Sequence, residues 1–422
     1  MSVLVILFSF LFSATWSVPQ TVHGLYFGHT TNFSGDRQAS TLSPQVAITP
    51  QIVAKRAGNV YVVWAEVNEM KDHNIAVQFT ASADNGTTFT HPRVLSNHRS
   101  SASLPQIAAT ENGTVYVVWV DKNSTSGDSN IVFRASTDGG EKFSRTKTLS
   151  RDIEGSTASS SSLLSSSPQI AATENGTVYV VWVDKNSISG DSNIVFRAST
   201  DGGEKFSRRV LSRDIQISSS SPQIAATENS SVYVVWVDKN STSGDSDIVF
   251  RGSTNGGENF GRKGLSRDIQ GSPPLLSSSP QITSPSNGSV YVVWVDKNST
   301  SGDSDIVFSA STNGGEKFDR KELSKETEIS VVSPQLAAIR NGDVYVLWVE
   351  SNPQFSEILD NGTIVGEVLP LGRTTSEASY PRITATENGN VYMVWIDRKN
   401  STAEDKMVYF KKSSQFYFDR NL

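Results

Sequence analysis

One spacing recurs along almost the whole chain: a proline lies fourteen positions before a tryptophan, seven times in succession. The seven pairs are Pro50 and Trp64, Pro105 and Trp119, Pro168 and Trp182, Pro222 and Trp236, Pro280 and Trp294, Pro334 and Trp348, and Pro381 and Trp395. Residues 232–250 and 290–308 are identical in sequence. Repetition at this period is typical of architectures in which each copy is one structural unit that packs on its neighbours.

Each copy is predicted to contain four short strands. In the second copy they are residues 105–110, 115–120, 131–136 and 143–150, with an Asn-Gly turn after the first and a polar loop after the second. The strand around Trp119 is apolar on both faces, so neighbouring units must cover both. We therefore predict an all-β fold, a seven-bladed β-propeller of four-stranded antiparallel blades with the tryptophans between blades. Six or eight blades are the alternatives, because the first and last copies are irregular.

The N-terminus predicts export. Residues 1–12 are almost entirely apolar, and small residues follow at the positions where a signal peptidase cleaves. The predicted organisation is a signal peptide at 1–17, a segment at 18–43 that could add a strand to the last blade and close the ring, and the propeller at 44–422. A buried N-terminal strand is the alternative. The apolar run is too short for a membrane span, so we expect a secreted or cell-surface glycoprotein, whose repeated Asn-x-Ser/Thr sequons agree with export.

Composition excludes several kinds of chemistry. The chain has no cysteine, which rules out disulfides, thiol nucleophiles and thiolate metal sites. The net charge is −6, and no clustered basic segment indicates a nucleic-acid partner. The five histidines are scattered without the spacing of metal ligands.

An octapeptide follows the third predicted strand in five copies, at residues 82–89, 136–143, 199–206, 253–260 and 311–318. Its pattern, Ser-x-Asp/Asn-x-Gly-x-x-Phe, resembles the Asp-box (BNR repeat) of the sialidase superfamily. The resemblance extends over residues 44–422, although the last two copies lack the octapeptide. It implies a propeller fold and a structural, peripheral role for Asp84, Asp138, Asp201, Asn255 and Asn313.

Acidic residues recur in the loop after each tryptophan-containing strand. The candidate metal ligands are Asp121, Asp128, Asp184, Asp191, Asp238, Asp245, Asp296 and Asp303. Such an oxygen-rich face could hold Ca²⁺, the one cofactor that the sequence suggests. The alternative is a set of solvated hairpin loops in which aspartates accept hydrogen bonds from backbone amides.

A polar residue follows each repeated proline, and it is expected to lie on the strand that lines the central channel. These candidate ligand-binding residues are Gln51, Gln106, Gln169, Gln223, Gln281, Gln335 and Arg382. Two interpretations stay open. The side chains could form a polar ring suited to sugar hydroxyls, or they could make hydrogen bonds between blades.

The resemblance implies a sialidase site built from an arginine clamp for a carboxylate, a Tyr–Glu pair and an aspartic acid, all drawn from non-equivalent blades. Here the blades are nearly alike, and Arg134, Arg197 and Arg251 occupy equivalent positions. The catalytic candidates in the irregular copies are Arg56, Tyr380, Arg382 and Asp397. We expect a non-catalytic recognition or scaffold propeller that binds an extracellular glycan or a surface protein. A sialidase-like exo-glycoside hydrolase with a divergent site is the alternative.

Overall fold

The computed structural model describes residues 25–27, 31–32 and 46–415, apart from 56, 69–73, 98–99, 124–126, 151–162, 187–191, 213–216, 241, 267–275, 286–287, 298–301, 325–331, 351, 360, 363, 367, 371–378, 388 and 399–405. The predicted signal peptide, 1–17, lies outside these ranges. The described elements are all β-strands. Within the same ranges, no helix is long and apolar enough to cross a bilayer.

The strands fall into consecutive units that each contain one of the repeated tryptophans, and we number these units 1 to 7 in chain order. Two short strands come first, β1 (Leu25–Phe27) and β2 (Thr31–Asn32). Unit 1 contains β3 (Val46–Ala54), β4 (Val60–Asn68), β5 (Asn74–Ser82) and β6 (Arg93–Val94). Unit 2 contains β7 (Ser100–Ala109), β8 (Val115–Asn123), β9 (Ser129–Ser136) and β10 (Lys147–Thr148). Unit 3 contains β11 (Leu163–Ala172), β12 (Val178–Asn186), β13 (Ser192–Ser199) and β14 (Arg209–Val210).

The remaining units follow the same plan. Unit 4 contains β15 (Ile217–Ala226), β16 (Val232–Asn240), β17 (Ser246–Ser253) and β18 (Gly261–Gly264). Unit 5 contains β19 (Ser278–Thr283), β20 (Val290–Lys297), β21 (Ser304–Ser311) and β22 (Asp319–Glu322). Unit 6 contains β23 (Val332–Ala338), β24 (Val344–Glu350), β25 (Asn352–Leu359), β26 (Ile364–Val365) and β27 (Leu369–Pro370). Unit 7 contains β28 (Ser379–Ala385), β29 (Val391–Arg398) and β30 (Lys406–Gln415).

Each unit is an antiparallel sheet whose first three strands pair in chain order, and the fourth strand pairs with the third, as in β3-β4-β5-β6. In unit 6 both β26 and β27 pair with β25. The predicted four-stranded antiparallel units are therefore present. The sheets of units 2 and 3 are joined by one parallel bridge between Ser129 and Leu164. In unit 7 the fourth position is filled from the N-terminus, because β1 and β2 both pair antiparallel with β30.

The first strand of every unit contains a bulge at its proline. In unit 3, Ser166 pairs with Val183 and Gln169 pairs with Val181, so Ser167 and Pro168 together face the single residue Trp182. A proline has no N–H to donate to the ladder, and a bulge accommodates it. The residue before each proline has a positive φ: Thr49, Leu104, Ser167, Ser221, Ser279, Ser333 and Tyr380, with φ between 50° and 54°. This bulge explains the fixed spacing of proline and tryptophan.

The hydrophobic core lies between units. Along β8, Val115, Val117 and Trp119 pack with side chains of unit 1, whereas Val118 and Val120 pack with unit 3. A further buried cluster joins Trp64 of unit 1 to Tyr392 and Phe410 of unit 7. All seven repeated tryptophans are buried, so the prediction that they form the inter-unit core is confirmed.

The first strands of successive units lie against each other in the order β3, β7, β11, β15, β19, β23 and β28, and β28 also contacts β3. We call these seven the inner strands. They begin earlier than the sequence predicts, since β7 starts at Ser100 and not at residue 105. The fourth strands are shorter than predicted, and β10 has only 2 residues.

Candidate functional site

The seven polar positions of the inner strands occupy one equivalent place, directly after the proline bulge. Each pairs across the sheet with the residue that precedes the tryptophan, as Gln106 pairs with Val118 and Arg382 with Val394. Gln51 and Gln335 are buried, and the other members, Gln106, Gln169, Gln223, Gln281 and Arg382, are half-buried. In unit 6 the side-chain nitrogen of Gln335 donates to the carbonyl of Pro334 at 2.7 Å.

Arg382 links this series across the junction between unit 7 and unit 1. Its Nε donates to Oε1 of Gln51 at 2.8 Å, and Nη1 donates to the carbonyl of Pro381 at 2.8 Å. The pKa of Arg382 is lowered to about 10, because desolvation disfavours the charged guanidinium. The nearby Tyr380 raises this pKa and so partly offsets the effect. The guanidinium therefore stays positively charged at neutral pH, but it is poorly solvated. It is the one cationic member of the seven equivalent positions.

Polar atoms without hydrogen-bond partners gather on the two strands of this junction. Among the described residues, Nε2 of Gln51, Oγ1 of Thr49 and Oγ of Ser379 are buried and unpaired. An unsatisfied buried polar group costs about 1–3 kcal/mol. Tyr380 stands on the same bulge with 46% of its surface exposed. The junction thus combines a desolvated cation, unused hydrogen-bonding atoms and an accessible aromatic ring.

The acidic residues after the tryptophans have structural partners. In units 3, 4 and 5, the tryptophan Nε1 donates to Oδ1 of Asp184, Asp238 and Asp296, at 2.6, 2.5 and 2.7 Å. A serine hydroxyl of the inner-strand region also donates to each of these oxygens, from Ser165, Ser219 and Ser277, at 2.6, 2.7 and 2.6 Å. An arginine follows in each unit: Arg208 lies 3.8 Å from Asp184, Arg262 lies 3.0 Å from Asp238 and Arg320 lies 3.0 Å from Asp296. Burial raises the pKa of Asp296 above its ordinary value. Hydrogen bonds from Ser277 and Trp294 and the charge of Arg320 act in the opposite direction and lower it.

Unit 2 departs from this pattern. Ala102 pairs with Asp121, where the other three units have a serine, and Oδ1 of Asp121 and Nε1 of Trp119 are both buried without a partner among the described residues. In unit 1, Glu66 replaces the aspartate and accepts from Nε1 of Trp64 at 2.9 Å.

The acidic residues further along these loops accept hydrogen bonds through their main chain. The carbonyls of Asp128 and Asp245 accept from the backbone N–H groups of Asn123 and Asn240, each at 2.9 Å. Across the described part of the chain, no three His, Asp or Glu side chains converge in an arrangement that could hold a metal ion. Asp303 is described, whereas Asp191 lies outside the described residues. The Ca²⁺ interpretation stays a prediction.

The octapeptide turns are closed by their own side chains. In unit 2, Oδ1 of Asp138 accepts from the Ser136 hydroxyl at 2.7 Å and from the Lys142 N–H at 2.8 Å, while the Gly140 N–H donates to Ser136 Oγ at 2.9 Å. These bonds, led by the Lys142 amide, lower the pKa of Asp138 below its ordinary value. Equivalent bonds form at Asp84, Asp201, Asn255 and Asn313.

The three repeat-equivalent arginines stay apart. Arg134 donates to the carbonyls of Ser144, Leu95 and Phe143 at 2.6, 2.8 and 3.1 Å, so it ties unit 2 to unit 1. Arg197 and Arg251 instead lie over the rings of Trp182 and Trp236, at 6.0 and 5.9 Å from the ring centroids. The three side chains thus make these contacts at three different places, and the contacts do not bring them together as a clamp.

A set of basic residues on the fourth strands was missed by the sequence reasoning. Each docks on the octapeptide turn of the next unit. Arg93 donates to the carbonyls of Gly140 and Glu141, Lys147 to those of Gly203 and Glu204, and Lys263 to those of Gly315 and Glu316. The signal that could have revealed them is a basic residue three or four positions after each octapeptide phenylalanine.

The turns after the inner strands form a second series of inter-unit contacts that the sequence did not reveal. The Glu174 carboxylate accepts from the Glu111 backbone N–H at 2.5 Å and from Lys55 Nζ at 3.0 Å. Glu228 accepts in turn from the Glu174 N–H at 2.9 Å. Lys55 belongs to unit 1 and Glu174 to unit 3, so their ion pair spans unit 2.

For two of the catalytic candidates, Arg56 and Asp397, the described residues show no contact at the junction of units 7 and 1. Arg56 lies outside the described residues. Asp397 is on β29, where its backbone pairs with Met407. Only Arg382 and Tyr380 therefore contribute described side chains to one place.

Comparisons with known proteins support the fold. No family model matches this sequence, and no curated protein does. A Dyadobacter fermentans protein of unknown function is similar in structure over 93% of this chain and 100% of its own, at 13% identity and a TM-score of 0.55. An ulvan lyase of polysaccharide lyase family PL25 is similar over 87% and 94%, at 10% identity and a TM-score of 0.58.

A Trypanosoma rangeli sialidase is also similar, with a TM-score of 0.52 at 11% identity. The match covers 87% of this chain and 55% of the sialidase. These likenesses show the fold. The all-β, propeller-like architecture is shared with proteins that act on glycans, and at such low identity it does not carry their activities.

Proposed function

We propose that this protein is a secreted or cell-surface, non-catalytic recognition propeller of seven blades, and that it binds a glycan at the junction of unit 7 and unit 1. The octapeptide turns serve it as Asp-boxes, and residues 1–17 as a signal peptide. The observation that carries the proposal is the Arg382–Gln51 contact beside the unpaired atoms of Thr49, Gln51 and Ser379.

The junction offers what a sugar carboxylate or hydroxyl needs. A poorly solvated guanidinium gains most from an anionic partner, because a charge-assisted hydrogen bond is stronger than a neutral one. The Gln51 amide nitrogen and the two hydroxyls can complete the hydrogen bonding of a polar ligand. Tyr380, which is exposed at 46%, can cover the apolar face of a sugar ring.

Several observations favour binding over hydrolysis. The sialidase site that the resemblance implies needs an aspartic acid and a Tyr–Glu pair beside the arginine clamp, with the carboxyl groups in different environments. Asp184, Asp238 and Asp296 are occupied by indole, serine and arginine partners of their own units. The alternative, a sialidase-like exo-glycoside hydrolase, would have to use Arg382 and Tyr380 with acidic groups that no described contact brings to them.

A glycan array tests the proposal, run in parallel with a fluorogenic sialoside assay. We expect saturable binding of acidic glycans, weakened about tenfold or more in Arg382→Gln because a charged hydrogen bond is lost. The matched control is Gln223→Ala, at the equivalent position of a regular unit, and it should bind like the parent. Sialoside turnover that disappears in Arg382→Gln or Tyr380→Phe would replace the binding proposal with the hydrolase.

A further inference from the structure

The outer side of the molecule has an open groove between units 3 and 4, with a volume of about 560 Å³. Ligand sites typically occupy about 300–1,000 Å³. Its lining includes Arg208, Arg209, Arg251, Glu258, Asn259 and Phe260. The lining residues include three arginines and one glutamate, and Arg208 also lies 3.8 Å from Asp184, although the protein as a whole carries a net charge of −6. The groove is a basic site on an acidic protein.

The groove occurs where one inter-unit contact is absent. At the junctions of units 1 and 2, 2 and 3, and 4 and 5, a fourth-strand cation occupies the carbonyls of the following octapeptide turn. The equivalent residue between units 3 and 4 is Arg209, and among the described residues it donates to no carbonyl. Arg209 and Glu258 are both exposed, and both line the groove. The near-identical units therefore differ at this place in a way that creates space and leaves a cation available.

The other walls of the groove are held in place by contacts outside it. Arg208 lies 3.8 Å from Asp184, and Arg251 lies over the ring of Trp236 at 5.9 Å. Phe260 packs edge-on against Phe196, with ring centroids 5.3 Å apart. A site whose side chains are positioned before binding loses less conformational entropy when a ligand arrives.

We propose that this groove binds an acidic oligosaccharide, as a second site separate from the inner-strand junction. Arg209 and its two neighbouring guanidinium groups would hold a sulfate or carboxylate, since planar guanidinium groups match both anions with paired hydrogen bonds. Phe260 offers an aromatic surface for the sugar ring, and Asn259 and Glu258 offer partners for its hydroxyls. A mixed lining of this kind fits a charged saccharide better than a bare polyanion, because Glu258 repels a purely anionic ligand.

Calorimetric titration of the mature protein tests the proposal with three hexasaccharide probes: a sulfated one, a uronate one and a neutral one. We expect at least one acidic probe to bind and the neutral probe to bind more weakly. Arg209→Gln should raise the Kd about tenfold or more, since it removes a charged hydrogen bond. The matched control is Lys317→Gln, which removes the same charge from a side chain that is 79% exposed on unit 5, and it should leave the Kd within about twofold. Whichever acidic probe binds identifies the anion.

Three outcomes would overturn the proposal. The first is that no acidic probe binds the parent. The second is that Arg209→Gln and Lys317→Gln change the Kd equally, which would mean general charge attraction. The third is that single-stranded DNA of similar charge binds as tightly as the saccharide and is equally weakened by Arg209→Gln. Arg382→Gln must not affect this site, so failure here and failure at the junction are distinguishable.

Discussion

Arg382 donates from Nε to Oε1 of Gln51 at 2.8 Å, although the two residues are 331 positions apart in the chain. The contact joins the last unit to the first, and two further interactions support the same closure. Trp64 packs with Tyr392 and Phe410 in one buried cluster, and β1 pairs with β30. A ring of repeats closed in this way has no exposed long edge at its ends. The closure also places the cationic member of the inner-strand series, Arg382, beside Gln51.

The second glycine of the octapeptide turn should be intolerant of any side chain. A Cβ at Gly203 would lie 2.4 Å from the Phe133 ring, whereas a Cβ at Gly202 would meet nothing within 4 Å. Both have positive φ, at 93° and 69°. We therefore expect Gly202→Ala to cost about 1–2 kcal/mol from the backbone alone, and Gly203→Ala to cost about 1–3 kcal/mol more from overpacking. Urea denaturation of both variants checks this, and equal midpoints would contradict the packing of units 2 and 3.

Trp236→Ala should destabilise the protein strongly. The indole is fully buried in the cluster between units 3 and 4, and its Nε1 donates to Asp238 at 2.5 Å. Truncation of a buried tryptophan costs about 3–5 kcal/mol. Thermal melting measures the effect, with Lys317→Gln as an exposed control. A melting temperature close to that of the parent would show that the tryptophan is not in the core.

A fourth-strand cation should stabilise the fold only where it donates to carbonyls of the next unit. Lys263 donates to the carbonyls of Gly315 and Glu316 in the next unit, whereas Arg209 makes no such contact with the described residues. We expect Lys263→Met to lower the free energy of unfolding by about 1 kcal/mol, and Arg209→Met to change it by less than about 0.5 kcal/mol. If the two variants lose equal stability, the contrast between the two junctions is wrong.

The octapeptide aspartates should contribute to acid sensitivity. Hydrogen bonds from Lys142 and Ser136 lower the pKa of Asp138 in the folded protein, and those from Lys205 and Ser199 lower that of Asp201. A lowered folded pKa stabilises the fold above the ordinary pKa of about 4, and this contribution is lost as the pH falls. Asn255 accepts equivalent bonds from Ser253 and Asn259 at 2.8 and 3.0 Å without titrating.

The double variant Asp138→Asn, Asp201→Asn should therefore fold normally at pH 7 and lose less stability between about pH 4 and pH 2. Stability is measured by urea denaturation across that range. An unchanged acid dependence would mean that these carboxylates do not stabilise the folded state through their ionised forms. Unfolding of the variant at pH 7 would contradict the equivalence of Asn255 and Asp138.

The sequence predicted the elements that repetition makes visible. Seven buried tryptophans and four-strand units follow from the apolar β-branched segments and the turn residues. The bulge at each proline was not foreseen, because a proline is ordinarily read as the start of a strand, and β7 begins instead at Ser100 within a serine-rich segment. Lys147 and Lys263 donate to carbonyls of the next unit. Such contacts depend on how neighbouring repeats pack, which the pattern within one repeat does not show.

The site was only partly predictable for the same reason. Arg382 was a candidate because it breaks the glutamine series, and the structure brings it to Gln51. The unpaired atoms of Thr49 and Ser379 are consequences of the bulge and of the contact between unit 7 and unit 1. The groove at Arg209 arises from a missing contact, which no sequence pattern records.

We propose that the Arg382–Gln51 junction binds an acidic glycan without cleaving it. The most direct test is a calorimetric titration of the mature protein and of Arg382→Gln with a sialylated trisaccharide, followed by mass spectrometry of the recovered ligand. We expect saturable binding to the parent, a Kd at least about tenfold higher for Arg382→Gln, and an intact trisaccharide at the end. Equal binding by both proteins, or recovery of free sialic acid from the parent alone, would contradict it.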